Sequence, residues 1–338
     1  MFDYYQKSFF MNKTVFNNDP IIGLGVFKVE KTKNKKKIFP YSNTSSGKNK
    51  VEIFGKLYNE FLERFKMVNN YRSNKKTEII LINGLKKTLV KRNALTYGYD
   101  LQYGHKDTTG TASGLNSNIL IEKAICELLE KNELMLMWYK KLCSLITINT
   151  AVQVVLMQYG INEKNIKIFY AQNISNIHTI IVFILNDNLQ IISSGISGST
   201  DAMSSLVLAI EEALMQKWMD ELSPKPRHLK NNKKFDDYFF ALCNVKQISI
   251  KNLNPVQKII INKPFDDIEI GLLNIAGYRR EISIKAISKT MFNCIPTISN
   301  IKKNKTKAIA TIYDIEKALK NAIECAVVWG VQDVQLFV

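Results

Sequence analysis

The sequence predicts a mixed α/β fold of short strands and acid-bearing helices, and three observations predict it. Apolar runs with the length of strands recur along the chain, among them TEIILINGLKKTLV, KNIKIFYAQN and HTIIVFILNDN. Three longer stretches carry apolar residues at helical spacing: Val51–Met67, the later part of Thr108–Tyr139, and Ser204–Trp218. Ahead of each stands a segment of small residues, YSNTSSGKNK, TTGTASG and SSGISGSTD. The order of strands, small-residue turn and acid-bearing helix therefore repeats, as a structural repeat without a fixed sequence period.

With 338 residues and 46% hydrophobic content the chain has ample material for a core. A single domain over 1–338 is expected: a strand region and basic loop over 1–40, a core over 41–300, and a helix with a short tail over 301–338. No run of about 18 apolar residues occurs, so no membrane span is expected. The start, MFDYYQKSFFMNKTVF, lacks the basic, apolar and small-residue order of a signal peptide. The five cysteines are scattered without a C-x-x-C pair, which predicts neither disulfides nor zinc and suits a reducing cytoplasm. Three histidines, His105, His178 and His228, are too far apart in sequence to give histidine catalysis much material. The net charge of +17 gathers in KTKNKKK, KPRHLKNNKK and KKNKTK, which read as solvated loops. No helix-turn-helix, zinc finger or aromatic–basic RNA signature accompanies them, so an anionic nucleotide or acidic peptide suits this charge better than nucleic acid.

In chain order, GLGVFKVEKTK reads as a strand and YSNTSSGKNK as a polar turn before the first helix. TEIILINGLKKTLV reads as a hairpin with a Gly turn, and 93–103 as a loop. Residues 144–161 read as a strand edge and a helix, KNIKIFYAQN and HTIIVFILNDN as strands. LQIISSGISGSTD reads as a strand ending in a second small-residue turn, and SPKPRHLKNNKK as a surface linker. SIKAISKTMFNCIP is expected to be a strand ending near Pro296, and ATIYDIEKALKNAIECAVVWG a late amphipathic helix.

The helices carry the chemistry. Glu60 and Glu63 are three residues apart, as are Glu127 and Glu130, and Glu212 and Gln216 are four apart, so each pair leaves one helix face. Acids on one face repel unless cations screen them. A solvated face, with Lys123 and Lys131 as partners, is one account; a multi-Mg²⁺ nucleotide site is the other, because Mg²⁺ bridges carboxylates to phosphates.

Read as Glu60-Phe-Leu-Glu63-Arg64, Glu127-Leu-Leu-Glu130-Lys131 and Glu212-Ala-Leu-Met-Gln216, these motifs resemble, in order and spacing, those of the YcaO family of ATP-dependent peptide-backbone-activating enzymes. The resemblance spans roughly residues 40–300 and is nearest in flavour to the cyclodehydratase of modified-microcin biosynthesis. It implies a YcaO-like fold with ATP and Mg²⁺: Glu60, Glu63, Glu127, Glu130 and Glu212 as metal ligands, and Ser45, Ser46, Lys48, Arg64, Lys131 and Gln216 on the nucleotide. No catalytic residue is named by it. It further implies a precursor peptide presented by a separate E1-like, leader-binding partner protein, a flavin dehydrogenase in the same complex, and a homodimer.

This chain departs from the family in three places. Lys131 stands where the second motif usually ends in Arg, which keeps the charge and loses the bidentate fork. Leu115 and Ile119 fall where polar nucleotide contacts are typical, and the family's Pro-rich tail is not seen in QDVQLFV. The resemblance leaves three outcomes open: azoline formation, thioamide formation with an external sulfur nucleophile, and a degenerate, non-catalytic scaffold subunit.

Overall fold

A computed structural model describes residues 21–26, 42–47, 49–71, 73–82, 84, 87–222, 233–273, 281–311 and 317. In chain order the elements are β1 (Ile21–Val26), β2 (Ser42–Gly47), α1 (Lys50–Asn70), β3 (Lys76–Leu81), β4 (Lys87–Lys91), β5 (Gly98–Asp100), β6 (Gly104–Lys106), β7 (Thr111–Gly114) and α2 (Ser117–Lys140). There follow β8 (Ser144–Ile146), α3 (Thr150–Gln158), β9 (Ile166–Ala171), β10 (His178–Leu185), β11 (Ile191–Ser199), α4 (Ala202–Leu222), α5 (Lys233–Cys243), β12 (Gln247–Ile248), β13 (Glu269–Leu272), β14 (Ile282–Ile287), α6 (Ile298–Lys303) and α7 (Ala308–Thr311). The expected mixture of sheets and acid-bearing helices is present. Two compact units divide the chain, one holding the described residues up to Leu128 and Asp267–Cys294, the other Leu129–Asp266 and the described residues from Ile295.

In the first unit, five strands pair in the order β4-β3-β13-β14-β7, antiparallel throughout. β3 and β4 form the hairpin expected from TEIILINGLKKTLV. Asn49 caps α1, its side chain accepting the Glu52 N–H at 3.0 Å. Ile53, Leu57, Phe61, Leu62 and Met67 then bury one face of that helix. The polar turn expected at 42–47 is instead β2, paired with β1. The loop expected at 93–103 holds a short 3-10 helix, Arg92–Leu95, and the start of a small β5–β6 hairpin. Thr111–Gly114, expected as part of a turn, is a fully buried strand. β14 stops at Ile287, well short of Pro296, because the Asp267 carboxylate gathers the Ser288 and Thr290 hydroxyls and the Lys289 and Thr290 N–H groups into a turn.

In the second unit the order is β11-β10-β9-β8-β12, antiparallel except for the parallel β8–β12 pair. Every residue of β10 is buried, as a central strand covered on both faces demands. β11 runs straight through the small-residue segment that reads as a turn. The reason lies in α4: a Cβ placed on Gly195 would sit 2.5 Å from the Ala213 nitrogen and collide with the Ala209 carbonyl. Helix and strand backbones touch here, so only Gly fits. The four described cysteines are free thiols, and Cys325 lies outside the described residues. So do Lys48, His228, nearly all of the basic linker, and most of the expected late helix, of which α7 is described.

Candidate functional site

Three times a strand of small residues leads into an acid-bearing helix: β2 into α1, β7 into α2, β11 into α4. In β11 the small residues make room for α4, and over β7 and β11 the helices hang acids on strand N–H groups. In the first unit Glu63 of α1 is buried, and its Oε1 accepts the Ser113 N–H of β7 at 2.9 Å. Lys123 of α2 lies 3.8 Å from the same oxygen, its own side chain largely exposed. Burial pushes the Glu63 carboxyl up to about 7; the solvent-screened Lys123 opposes this only in part, and Glu60 adds to it. Glu60 is half-buried and paired with Arg64 at 2.5 Å, one turn on. Glu127 is half-buried on α2.

Sequence reasoning missed Lys285. It is wholly buried on β14, and its Nζ donates to the carbonyls of Asp107, at 2.7 Å, and of Thr109. Burial lowers its pKa, against the charges of Asp107, Glu127 and Glu63. The available signal was a lone cation inside the apolar run ISIKAI. Ser45 and Ser46 are buried in β2, and the Ser46 carbonyl accepts Lys56 Nζ at 2.9 Å. Leu115 and Ile119 stand exposed at the start of α2. His105 rests edge-on against Tyr99 in the small hairpin.

In the second unit Glu130 of α2 is buried and both of its oxygens are engaged. Oε2 accepts the Gly198 N–H of β11 at 2.7 Å, and Oε1 is paired with Lys131 Nζ at 3.0 Å. Burial raises its pKa, Lys131 opposes the rise and Glu212 adds to it. Glu212 of α4 accepts the Ile196 N–H at 2.6 Å through Oε2. Gln216 follows one turn later, half-buried. Two further acids are structural. Glu133, wholly buried, accepts the N–H groups of Asn173 and Ile174 and the Asn173 amide. Glu211 accepts the Tyr159 hydroxyl at 2.8 Å. His178 bridges Tyr170 and the Asn254 carbonyl, another structural role.

Among the described residues no three His, Cys, Asp or Glu side chains are grouped to hold one ion. Mg²⁺ does not require such a cage, since one or two carboxylates plus phosphates and water satisfy it. The relevant observation is finer. Glu63 and Glu212 each have one oxygen fixed by a strand N–H, while the other has no hydrogen bond or ion pair to a described residue. An oriented carboxylate with a spare oxygen fits a hard cation. Glu130 does not have that spare oxygen.

No family model and no curated protein matches the sequence. Solved structures do match. A YcaO from Methanopyrus kandleri bound with AMPPCP and Mg²⁺ superposes with a TM-score of 0.63 at 10% identity, covering 84% of this chain and 85% of that one. The E. coli microcin synthetase McbBCD complex gives 0.59 at 13% identity over 87% and 91% of the two chains. The same complex with pro-MccB17 bound gives 0.56 at 14% over 84% and 88%. The chain has the YcaO fold.

Proposed function

We propose that the chain is the ATP-dependent cyclodehydratase subunit of a peptide-modifying synthetase, forming thiazoline or oxazoline rings in a ribosomal precursor peptide. The observation that supports this most is the seating of Glu63 and Glu212 on strand N–H groups with an oxygen to spare, in a fold shared with a YcaO bound to AMPPCP and Mg²⁺ and with a microcin synthetase. In the reaction a Cys, Ser or Thr side chain of the peptide adds to the preceding carbonyl carbon. The nucleophile loses its proton, the former carbonyl oxygen takes the terminal phosphoryl group of ATP with release of ADP, and departure of that oxygen as phosphate with loss of the amide N–H proton leaves the C=N of the ring. Such chemistry asks the protein for positioning and charge neutralisation.

Glu60, Glu63 and Glu127 in one unit, and Glu212 in the other, would hold Mg²⁺; Glu130 would join them once Lys131 leaves its Oε1. When bound, Mg²⁺ neutralises phosphate charge. The strand N–H groups orient the acids, and Arg64 and Lys48 offset phosphate charge while Gln216 orients the neighbouring ligands. A separate E1-like, leader-binding protein would present the peptide, with a flavin dehydrogenase in the complex and a homodimer as the default assembly. Titration calorimetry with ATP tests the reading. Binding is expected to need Mg²⁺ and to vanish in Glu63→Gln and Glu212→Gln, each still folded by circular dichroism. Unchanged binding in both variants would sink it.

A scaffold role is the second reading, favoured by Lys131 filling Glu130 and by exposed Leu115 and Ile119. It expects the wild type to bind a partner protein and no ATP at all.

A further inference from the structure

We propose that the outer edge of β4 is a docking strand for an acidic, extended stretch of the substrate peptide, which adds to the sheet antiparallel. That the guest belongs to a substrate rests on the reading above.

β4 ends the five-strand sheet, and among the described residues no strand pairs with it on the side away from β3. The Arg92 N–H donates to the Lys75 carbonyl at 2.8 Å. With the β3–β4 register, that bond turns the peptide groups of Thr88 and Val90 toward β3, and those of Lys87, Leu89 and Lys91 toward the outer side. Side chains alternate in the same step. Val90 packs on the core of the unit, whereas Lys87, Leu89 and Lys91 lie exposed on the opposite face. One row of three residues therefore offers both backbone and side chains to a guest.

That face of the sheet is covered at one end only. At the β7 end Ala112 and Ile284 are buried, and Leu120 of α2 stands 3.2 Å from the Cβ position of Gly114. At the β4 end Leu89, Ile80 and Leu272 are 63%, 38% and 44% exposed. Lysines on an edge strand ordinarily fend off other strands. Repulsion alone does not call for an apolar ledge between and behind them; a guest strand covers such a ledge. Lys76, Lys87 and Lys91 share the face with one acid, Glu78, which lies 3.8 Å from Lys87 with both side chains exposed. The complementary guest places acids against Lys87 and Lys91 and an apolar residue against Leu89. A second copy of the chain fits badly. Antiparallel pairing centred on Leu89 would set each Lys87 against the other copy's Lys91, and like charges directly opposite destabilise a sheet. Five residues of edge also fall far short of the ~1,000 Å² of a stable protein–protein interface, which suits a peptide that binds and leaves.

The probe is a fluorescein-labelled peptide in which Thr alternates with Glu, Val and Glu, titrated with the whole chain without nucleotide and read by anisotropy. Wild type is expected to bind it and to reject the same peptide with Lys in place of Glu. The double variant Lys87→Glu, Lys91→Glu should weaken binding of the acidic peptide about tenfold and bind the Lys peptide instead. N-methylating the Val, whose N–H meets Leu89, should abolish binding; N-methylating a neighbouring Thr, whose N–H faces away from β4, should not. Should the double variant not fold, the two N-methyl peptides and the Lys peptide still decide the matter on wild type. No binding, equal binding of both peptides, or indifference to the Val N-methyl group overturns the inference. So does dimerisation that the peptide reverses, which would seat a second copy on the edge. Because the titration needs no nucleotide, its failure is distinct from a failure of the Mg·ATP titrations of Glu63→Gln and Glu212→Gln.

Discussion

Glu63 shows how a single buried acid writes itself into stability. Its carboxyl titrates near 7 in the folded protein against about 4.5 when unfolded. The folded state therefore holds a proton that the unfolded state has released. Below pH 4.5 both states are protonated and the acid costs nothing. Between about 4.5 and 7 the cost of burying its charge grows with pH, reaching about 3 kcal/mol above 7. Unfolding in urea should show Glu63→Gln gaining stability over wild type as pH rises through that window, and no difference near pH 4. A pH-independent difference would mean that Glu63 is not the desolvated acid described here. Glu130 shifts in the same direction, so the contrast is between the variant and wild type rather than in the wild-type curve alone.

At the scale of elements, the helices were legible, the strands before the first two were not, and the strand before the third was legible only in its first part. Val51–Met67 and Ser204–Trp218 announce helices through apolar spacing, and β9 and β10 announce themselves through β-branched runs. Ser42–Gly47 and Thr111–Gly114 carry the composition of turns, and so does the small-residue end of Ile191–Ser199. What makes them strands is the ladder beside each, and for β11 the helix pressed on it, neither of which leaves a trace in local sequence. The same holds for the site. The acids could be found because their spacing is local, whereas the Ser113, Gly198 and Ile196 N–H groups that orient them come from elsewhere in the chain. Gly195→Ala tests the account of β11. Its methyl group would strike the α4 backbone, and overpacking of that kind costs about 3 kcal/mol. The check is the urea midpoint; a change below about 0.5 kcal/mol would mean that α4 sits more loosely than described.

On the scale of the whole molecule, no described helix is long and apolar enough to cross a membrane. Glu63, buried with one oxygen free of any hydrogen bond to a described residue, weighs against the folded state while it is charged. A ligand that supplies counter-charge then acts on folding as well as on chemistry. Mg·ATP at about 100 times its dissociation constant should stabilise the chain by about 2.7 kcal/mol, visible as a raised melting temperature. Chelating the metal with EDTA should return the melting temperature to its starting value. A rise produced by ATP alone would argue that the phosphates bind lysines without Mg²⁺.

The contact between Gly195 and the Ala209–Ala213 stretch of α4 has an engineering consequence. A helix bolted to its strand without intervening side chains is a fixed mount, with no adjustable spacer between the two. Redesign has to work from positions other than this contact. At this point it cannot re-aim Glu212 by repacking underneath, because the two backbones meet with no side chain between them.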